Sequence, residues 1–269
     1  MMRGLHTPVR AIRRRVFKEV AQLGFKADAD TLLADMEAIP YAIVNEDSEK
    51  YRESVYRARA IVRERLRSAM GLSLRPENKP VHLTAGVEAS KISEQYYEPP
   101  LMQVIPSACE SCEENKYEVS NICKGCLAHP CQEVCPKDAI SMVNGRSYID
   151  QDKCIKCGKC KSVCPYDAIA KKERPCQKAC GVNAIKSDKM GRAYIDNEKC
   201  VSCGMCMVSC PFGAISDKSQ IFQLARALSE GENVIAEIAP AFVGQFGDNI
   251  TPRNIKAALR ELGFSEVYE

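Results

Sequence analysis

Sixteen cysteines lie between Cys109 and Cys210, and none lies outside that stretch. They are spaced as a repeat. The pattern C-x3-C-[P/G]-x2-A-I occurs at Cys131–Ile140, Cys160–Ile169, Cys176–Ile185 and Cys206–Ile215. A larger repeat contains two of these: residues 144–169 match residues 190–215 at an offset of 46. A disulfide-stapled secreted chain spreads its cysteines over a short sequence. Clustered, regularly spaced thiols in a chain of 269 residues point instead to metal.

Two runs identify the metal. Cys154-Cys157-Cys160-Cys164-Pro165 and Cys200-Cys203-Cys206-Cys210-Pro211 have the bacterial ferredoxin spacing C-x2-C-x2-C-x3-C-P. Three closely spaced thiolates wrap one cubane, and the fourth reaches the neighbouring cluster. Gly158 and Gly204 let the backbone turn there and offer N–H groups to sulfur. Zinc ribbons use separated CxxC pairs, so this spacing speaks against zinc. A third run, Cys123-Cys126-Cys131-Cys135-Pro136, is the same pattern widened by two residues, as in multi-cluster electron-transfer subunits. The remaining half has only Cys176 and Cys180, with Gly181 in place of Pro, and upstream stands the isolated pair Cys109 and Cys112.

Two partitions fit these spacings, and they call for three or four [4Fe-4S] clusters. In one, four cubanes take Cys123, Cys126, Cys131 and Cys164; Cys154, Cys157, Cys160 and Cys135; Cys200, Cys203, Cys206 and Cys180; and Cys109, Cys112, Cys176 and Cys210. In the other, the 154–164 run pairs directly with the 200–210 run, one further cluster sits on 123–135, and four thiols are spare. His129, inside the widened loop, offers an imidazole that iron accepts. With four cysteines already in that run, a place beside the cluster or at the surface is expected.

Around this core the sequence predicts an α+β chain in four parts. Residues 1–75 read as a helical N-terminal region. One helix starts at Thr7 and Pro8 and stops at Gly24, a second spans Thr31–Ile39 and ends at Pro40, and a third spans Glu49–Met70. The third carries Arg52, Arg57, Arg59, Arg63, Arg65 and Arg67, read either as a solvated face or as a docking surface for an acidic redox partner. Residues 76–108, rich in Pro, read as an extended linker. Residues 109–216 form the cluster domain, with short antiparallel strands and helices. Residues 217–269 add a helix (Lys218–Gly231) and one β-α-β unit: a buried strand over Asn233–Phe242, a helix over Thr251–Leu262 and a strand over Phe264–Tyr268. That unit alone is too small to close a sheet or bury a core.

A net charge of +3 is too balanced to call for nucleic acid. The N-terminal residues hold no apolar stretch after their basic ones, so neither a signal peptide nor a twin-arginine signal is expected. No membrane span is expected either. The cytoplasm, where thiols stay reduced, is the expected compartment.

Residues 232–269 resemble the opening of the catalytic domain of iron-only ([FeFe]) hydrogenases, through Ala239-Pro240-Ala241, the Gly/Phe stretch after it and Leu262-Gly263-Phe264. The loop Cys126–Cys131 and the ferredoxin runs are similar to the N-terminal part of a clostridial, monomeric branch of that family. The resemblance implies a chain truncated or split from such an enzyme: its electron-input part, without the four cysteines that hold the family's six-iron catalytic cluster. Low-potential clusters and no catalysis by this chain alone are then expected. The implied partners are a ferredoxin-like redox donor or acceptor and a separate catalytic hydrogenase chain.

Overall fold

The computed structural model describes residues 6–26, 30–45, 52–90, 99–247 and 249–269. Glu49 and Tyr51, assigned above to the third helix, lie outside them. The described chain runs α1 (Pro8–Lys26), α2 (Leu32–Ile43), α3 (Val55–Ala69), α4 (Val87–Ser90) and β1 (Met102–Val104), then a 3-10 turn at Pro106–Ala108. The cysteine-rich part follows as β2 (Lys116–Val119), α5 (Pro130–Glu133), β3 (Ile140–Val143), β4 (Arg146–Ile149), α6 (Lys159–Ser162), β5 (Ile169–Lys172), α7 (Pro175–Lys178), β6 (Ile185–Ser187) and β7 (Ala193–Ile195). Last come α8 (Met205–Ser209), β8 (Ile215–Asp217), α9 (Ile221–Ser229), β9 (Ile235–Glu237), α10 (Pro252–Glu261) and β10 (Glu266–Tyr268). Two compact units result: residues 1–108 with 202–269, and residues 109–201.

The first unit has the apolar core of a helical bundle. Val16, Val20 and Leu23 of α1, Met36 and Ile39 of α2, and Val62 and Leu66 of α3 are buried together with Phe222 of α9. Gly24 does not stop α1, which continues to Lys26. Its role is close approach: a Cβ there would lie 2.6 Å from the Ala225 Cβ and 2.8 Å from the Phe222 carbonyl oxygen of α9. Pro40 does not end α2 either. The helix runs on to Ile43, and the Pro40 carbonyl accepts from Val44 N at 3.0 Å. Proline removes its own N–H but leaves its carbonyl free for the next turn. Leu83 and Val87, within the stretch read as linker, are buried in this core.

Apart from Arg63, the arginines of α3, and Arg52 just before it, form neither a solvated face nor a free docking surface. Arg57 donates to Ser107 O (2.7 Å), Arg59 to Val44 O (2.9 Å) and Arg52 to Phe212 O (2.6 Å). Arg67 binds the carbonyls of Ser73 (2.9 Å), Leu83 (2.6 Å) and Ala85 (2.7 Å), and burial pushes its pKa down. Arg65 donates to Gly213 O. A guanidinium carries five donors, so one helix can satisfy the carbonyls of several loops. Arg63 keeps to the surface, where it donates to Tyr41 Oη at 3.1 Å.

In the second unit four elements pair as two ribbons. β2 pairs antiparallel with β5 (Lys116 opposite Lys172), and β3 pairs antiparallel with β4 around a turn at Asn144 and Gly145, both at positive φ. That is the two-residue turn whose twist matches a hairpin. A third ribbon joins β6 to β7. The apolar core here is thin: Tyr117, Ile140, Ile149 and Ile169 with Cys131 and Cys160. In the first unit β1 pairs antiparallel with β8, and β9 pairs parallel with β10. The fold is thus mixed helices and short, mostly antiparallel strands, with no closed barrel among the described residues. The strand expected to be buried over Asn233–Phe242 is shorter and open: β9 covers three residues, Ile235 is 54% exposed, and Pro240–Phe242 is a 3-10 turn. In β9 Ile235 and Glu237 are exposed, and among the described residues α10 has none that is buried.

Candidate iron–sulfur centres

Each of the four C-x3-C repeats folds into the same turn. The carbonyl of its second cysteine (Cys135, Cys164, Cys180, Cys210) accepts from the N–H three residues on, at 3.2–3.4 Å. That third residue is left-handed: Asp138 (φ 47°), Asp167 (48°), Asn183 (52°) and Gly213 (59°). These are the residue types that tolerate this conformation. The turn aims the next N–H, always of alanine, at the cysteine sulfur. Ala139 N lies 3.3 Å from Cys135 Sγ, Ala168 N 3.4 Å from Cys164 Sγ, Ala184 N 3.2 Å from Cys180 Sγ, and Ala214 N 3.4 Å from Cys210 Sγ. Isoleucine follows, buried, as the first residue of β3, β5, β6 or β8. The motif letters A-I are therefore a donor to sulfur and an anchor to the strand.

The C-x2-C pairs share a second bend. In the first C-x2-C pair of each run, and in Cys109–Cys112, the residue before the second cysteine is left-handed: Ser111 (φ 45°), Gly125 (57°), Lys156 (59°) and Ser202 (54°). The isolated pair Cys109–Cys112 thus has the backbone of the complete runs. Its neighbours also correspond. The Ser147 N–H bonds Cys123 Sγ, and Ala193 N, 46 positions on, donates to Cys109 Sγ at 3.4 Å. Arg174, two residues before Cys176 and only 3% exposed, holds the Cys109–Cys112 loop down. It donates twice to Cys112 O (3.0 and 2.9 Å) and to Gly191 O (2.7 Å), and pairs with Glu114 at 3.2 Å.

Two cavities in this unit are ringed by cysteines. Cys135, Cys154, Cys157 and Cys160 line one of about 340 Å³, with Tyr117 and Ile149, its volume open to solvent at the mouth. Cys123, Cys126, Cys131 and Cys164 line another of about 320 Å³, with Val119 and Ile169. Each ring takes three cysteines from one run and the fourth from the other. Among the described residues no three His, Cys, Asp or Glu side chains converge on a single ion; the sulfurs ring a larger volume. His129 lines neither cavity. It occupies the left-handed position before α5 that Gly158 and Gly204 hold before α6 and α8, and its carbonyl, not its ring, accepts from Gln132 N and Glu133 N. The first cysteine of each C-x3-C repeat, Cys131, Cys160, Cys176 and Cys206, is buried, whereas Cys157 and Cys203 are exposed.

Two of the thiols are shifted in opposite directions. Burial pushes the Cys160 thiol up, and the neighbouring Cys154, Cys157 and Cys135 push it further. At Cys123 burial also raises the pKa, but hydrogen bonds from Ser147 and Gly125, with Arg146 nearby, lower it on balance. Ser147, whose hydroxyl also lies 3.3 Å from Cys131 Sγ, and Tyr117 escaped the sequence reading. The only sequence signal for Ser147 was its place in the 46-residue repeat, where Ala193 is its counterpart. The donor set fits cubanes: four sulfurs about each apolar cavity, with backbone N–H groups on the sulfurs.

Comparison with known proteins agrees. Residues 123–174 match the LdpA Fe-S cluster-binding domain and residues 193–216 the 4Fe-4S binding domain. The chain is 45% identical to Ferredoxin 7Fe of Hydrogenibacillus schlegelii, over 20% of this chain and 68% of that protein. The chain belongs to the ferredoxin family. The chain is also 39% identical to an uncharacterized ferredoxin of Methanocaldococcus jannaschii, over 23% of this chain and 37% of that one. It is 35% identical to the electron transport protein HydN of Escherichia coli, over 26% and 41%. It spans less than half the length of these last two relatives. Its cofactors are [4Fe-4S] clusters, and its cysteine-rich region is an iron–sulfur electron-transfer domain. Among the described residues no helix is long and apolar enough to cross a membrane.

Proposed function

We propose that this chain carries electrons through four cubanes arranged as two nested two-cluster modules. The observation that carries the reading is the pair of cysteine-ringed cavities, each fed by two different runs. The inner module takes Cys123, Cys126, Cys131 and Cys164 for one cluster and Cys154, Cys157, Cys160 and Cys135 for the other. The outer module takes Cys200, Cys203, Cys206 and Cys180, and Cys109, Cys112, Cys176 and Cys210. Chain order supports the nesting: β1 and β8 bracket the cysteines of the outer module as β2 and β5 bracket those of the inner one. The inner module is then an insertion between Cys112 and Cys176. The shared bends at Ser111 and Gly125, and the Arg174 clamp on Cys112, support the outer assignment.

A bound cubane takes up and releases one electron at a time. The chain's part is to present thiolates, exclude water with Tyr117, Ile149, Ile169 and their counterparts, and hold N–H groups on sulfur where negative charge grows on reduction. A redox protein is the proposed partner. More finely, we propose a hydrogenase-type catalytic chain, on the resemblance of residues 232–269 and on the open faces of β9 and α10. No cysteine follows Cys210 in these 269 residues, so electron input rather than hydrogen turnover is the role proposed for them. Thiols stay reduced in the cytoplasm, which suits the proposed location for a cysteine-rich cluster protein.

Anaerobic reconstitution followed by iron and sulfide analysis tests the proposal. Four cubanes require about sixteen irons per chain. The double variant Cys109→Ser/Cys112→Ser should lose about four of them. About twelve irons in the parent chain, unchanged in the variant, rejects the outer assignment, and zinc without sulfide rejects the whole.

A further inference from the structure

Gly213 differs from its three counterparts in the repeated turn. Asp138, Asp167 and Asn183 face water, whereas Gly213 is buried under the N-terminal helices. A Cβ at Gly213 would lie 2.5 Å from Val9 Cγ1 and 2.8 Å from Arg65 Nη2. The Arg65 guanidinium, on α3 and 3% exposed, donates through Nη2 to the Gly213 carbonyl. Arg52 donates to the adjacent Phe212 carbonyl at 2.6 Å. The Gly213 carbonyl and the Ala214 N–H belong to one peptide group. That N–H donates to Cys210 Sγ at 3.4 Å, and both Cys210 and Ala214 are buried. A single amide thus links a buried cation to a cysteine sulfur.

We propose that Arg65 raises the reduction potential of the cluster held by Cys210, and so sets it apart from the other clusters. The inference rests on the reading above that Cys210 is a ligand. Two effects act in the same direction. A donor on the carbonyl polarises the amide and strengthens its N–H as a donor to sulfur. A buried positive charge is weakly screened and favours the more negative, reduced cluster. Reduction adds one electron to the cluster and needs no proton from Arg65, which stays charged throughout. Arg65 is a positioning residue, because it reaches the sulfur only through the peptide. The helical region thereby contributes to electron transfer without supplying a ligand.

The test is a redox titration followed by EPR on the fully loaded chain, with Arg65→Gln and Arg65→Lys. Gln keeps a donor but removes the charge; Lys keeps both. Iron content and circular dichroism establish that each variant is loaded and folded. In Arg65→Gln one midpoint should move to more negative potential while the others stay, and Arg65→Lys should lie between it and the parent. Cys210→Ser identifies which midpoint belongs to Cys210. Unchanged midpoints in a loaded Arg65→Gln overturn the proposal. So does a uniform shift of all midpoints, an equal shift in Arg65→Lys, or loss of the same four irons from both Arg65 variants, which would mark a purely structural clamp. If Cys210→Ser keeps every iron and every signal, the ligand assignment itself is at fault, and the role of Arg65 falls with it.

Discussion

The residue just before Cys112, Cys126, Cys157 and Cys203 takes positive φ, and so does the third residue after each C-x3-C. These bends turn backbone N–H groups toward sulfur, so their side chains are limited to Gly, Asp, Asn, Ser and one Lys. Gly125 is the tightest. A Cβ there would lie 2.0 Å from the Gly145 carbonyl oxygen, a backbone atom of the β3–β4 turn that cannot swing aside. Gly125→Ala should therefore push apart the Cys123–Cys126 loop and the hairpin. The expected outcome is loss of about four irons with the other clusters retained, read by iron analysis and EPR. Arg67 makes a different kind of residue-scale claim. Its guanidinium satisfies three carbonyls of the loop that follows α3. Arg67→Met leaves them without that donor and should cost about 1–3 kcal/mol, measured as a lower denaturant midpoint of the helical signal.

Elements differ in what holds them. The helices of the first unit close on a continuous apolar core, and α1 meets α9 at Gly24. Gly24→Leu inserts a side chain where 2.6 Å is available to a Cβ. Overpacking of this sort costs about 1–3 kcal/mol, so the thermal midpoint of the helical unit should fall while the iron content stays constant. The ribbons of the second unit are three or four residues long, and cysteines occupy part of their core. Such short ribbons are marginal without cross-links, and metal–thiolate bonds supply folding free energy. Removing iron with a chelator should expose residues 109–201 to protease while α1, α2, α3 and α9 keep their helical circular dichroism. Equal protection of both regions in the iron-free chain would contradict this division of labour.

For the whole molecule, the proposed activity is electron transfer without hydrogen turnover. The loaded chain should reduce cytochrome c and should evolve no hydrogen from reduced methyl viologen above the protein-free blank, even after exposure to the hydrogenase maturation machinery. The cluster chemistry was legible in the sequence. Cluster chemistry depends on ligand type and on separations of two or three residues, and these are local. The helices α1, α9 and α10 and the cap at Thr251, whose side chain accepts from Asn254 N, follow from periodicity and local side-chain geometry in the same way. What each arginine of α3 binds was not legible, because a guanidinium on a helix reads as solvated until the loops that return to it are known. Nor was the true role of Gly24, since a glycine near a helix end signals a stop as readily as a close contact with a helix some 200 residues away in the chain. The grouping of cysteines into rings stood between. Spacing named the sulfurs and left two partitions, and only the folded chain brought Cys135 beside Cys154, Cys157 and Cys160, and Cys164 beside Cys123, Cys126 and Cys131. The sequence by itself determined the cysteine spacings and the turns around them, because those are properties of a few adjacent residues. Tertiary structure alone decided which runs face one another and which carbonyl Arg65 reaches, because both depend on contacts between segments far apart in the chain.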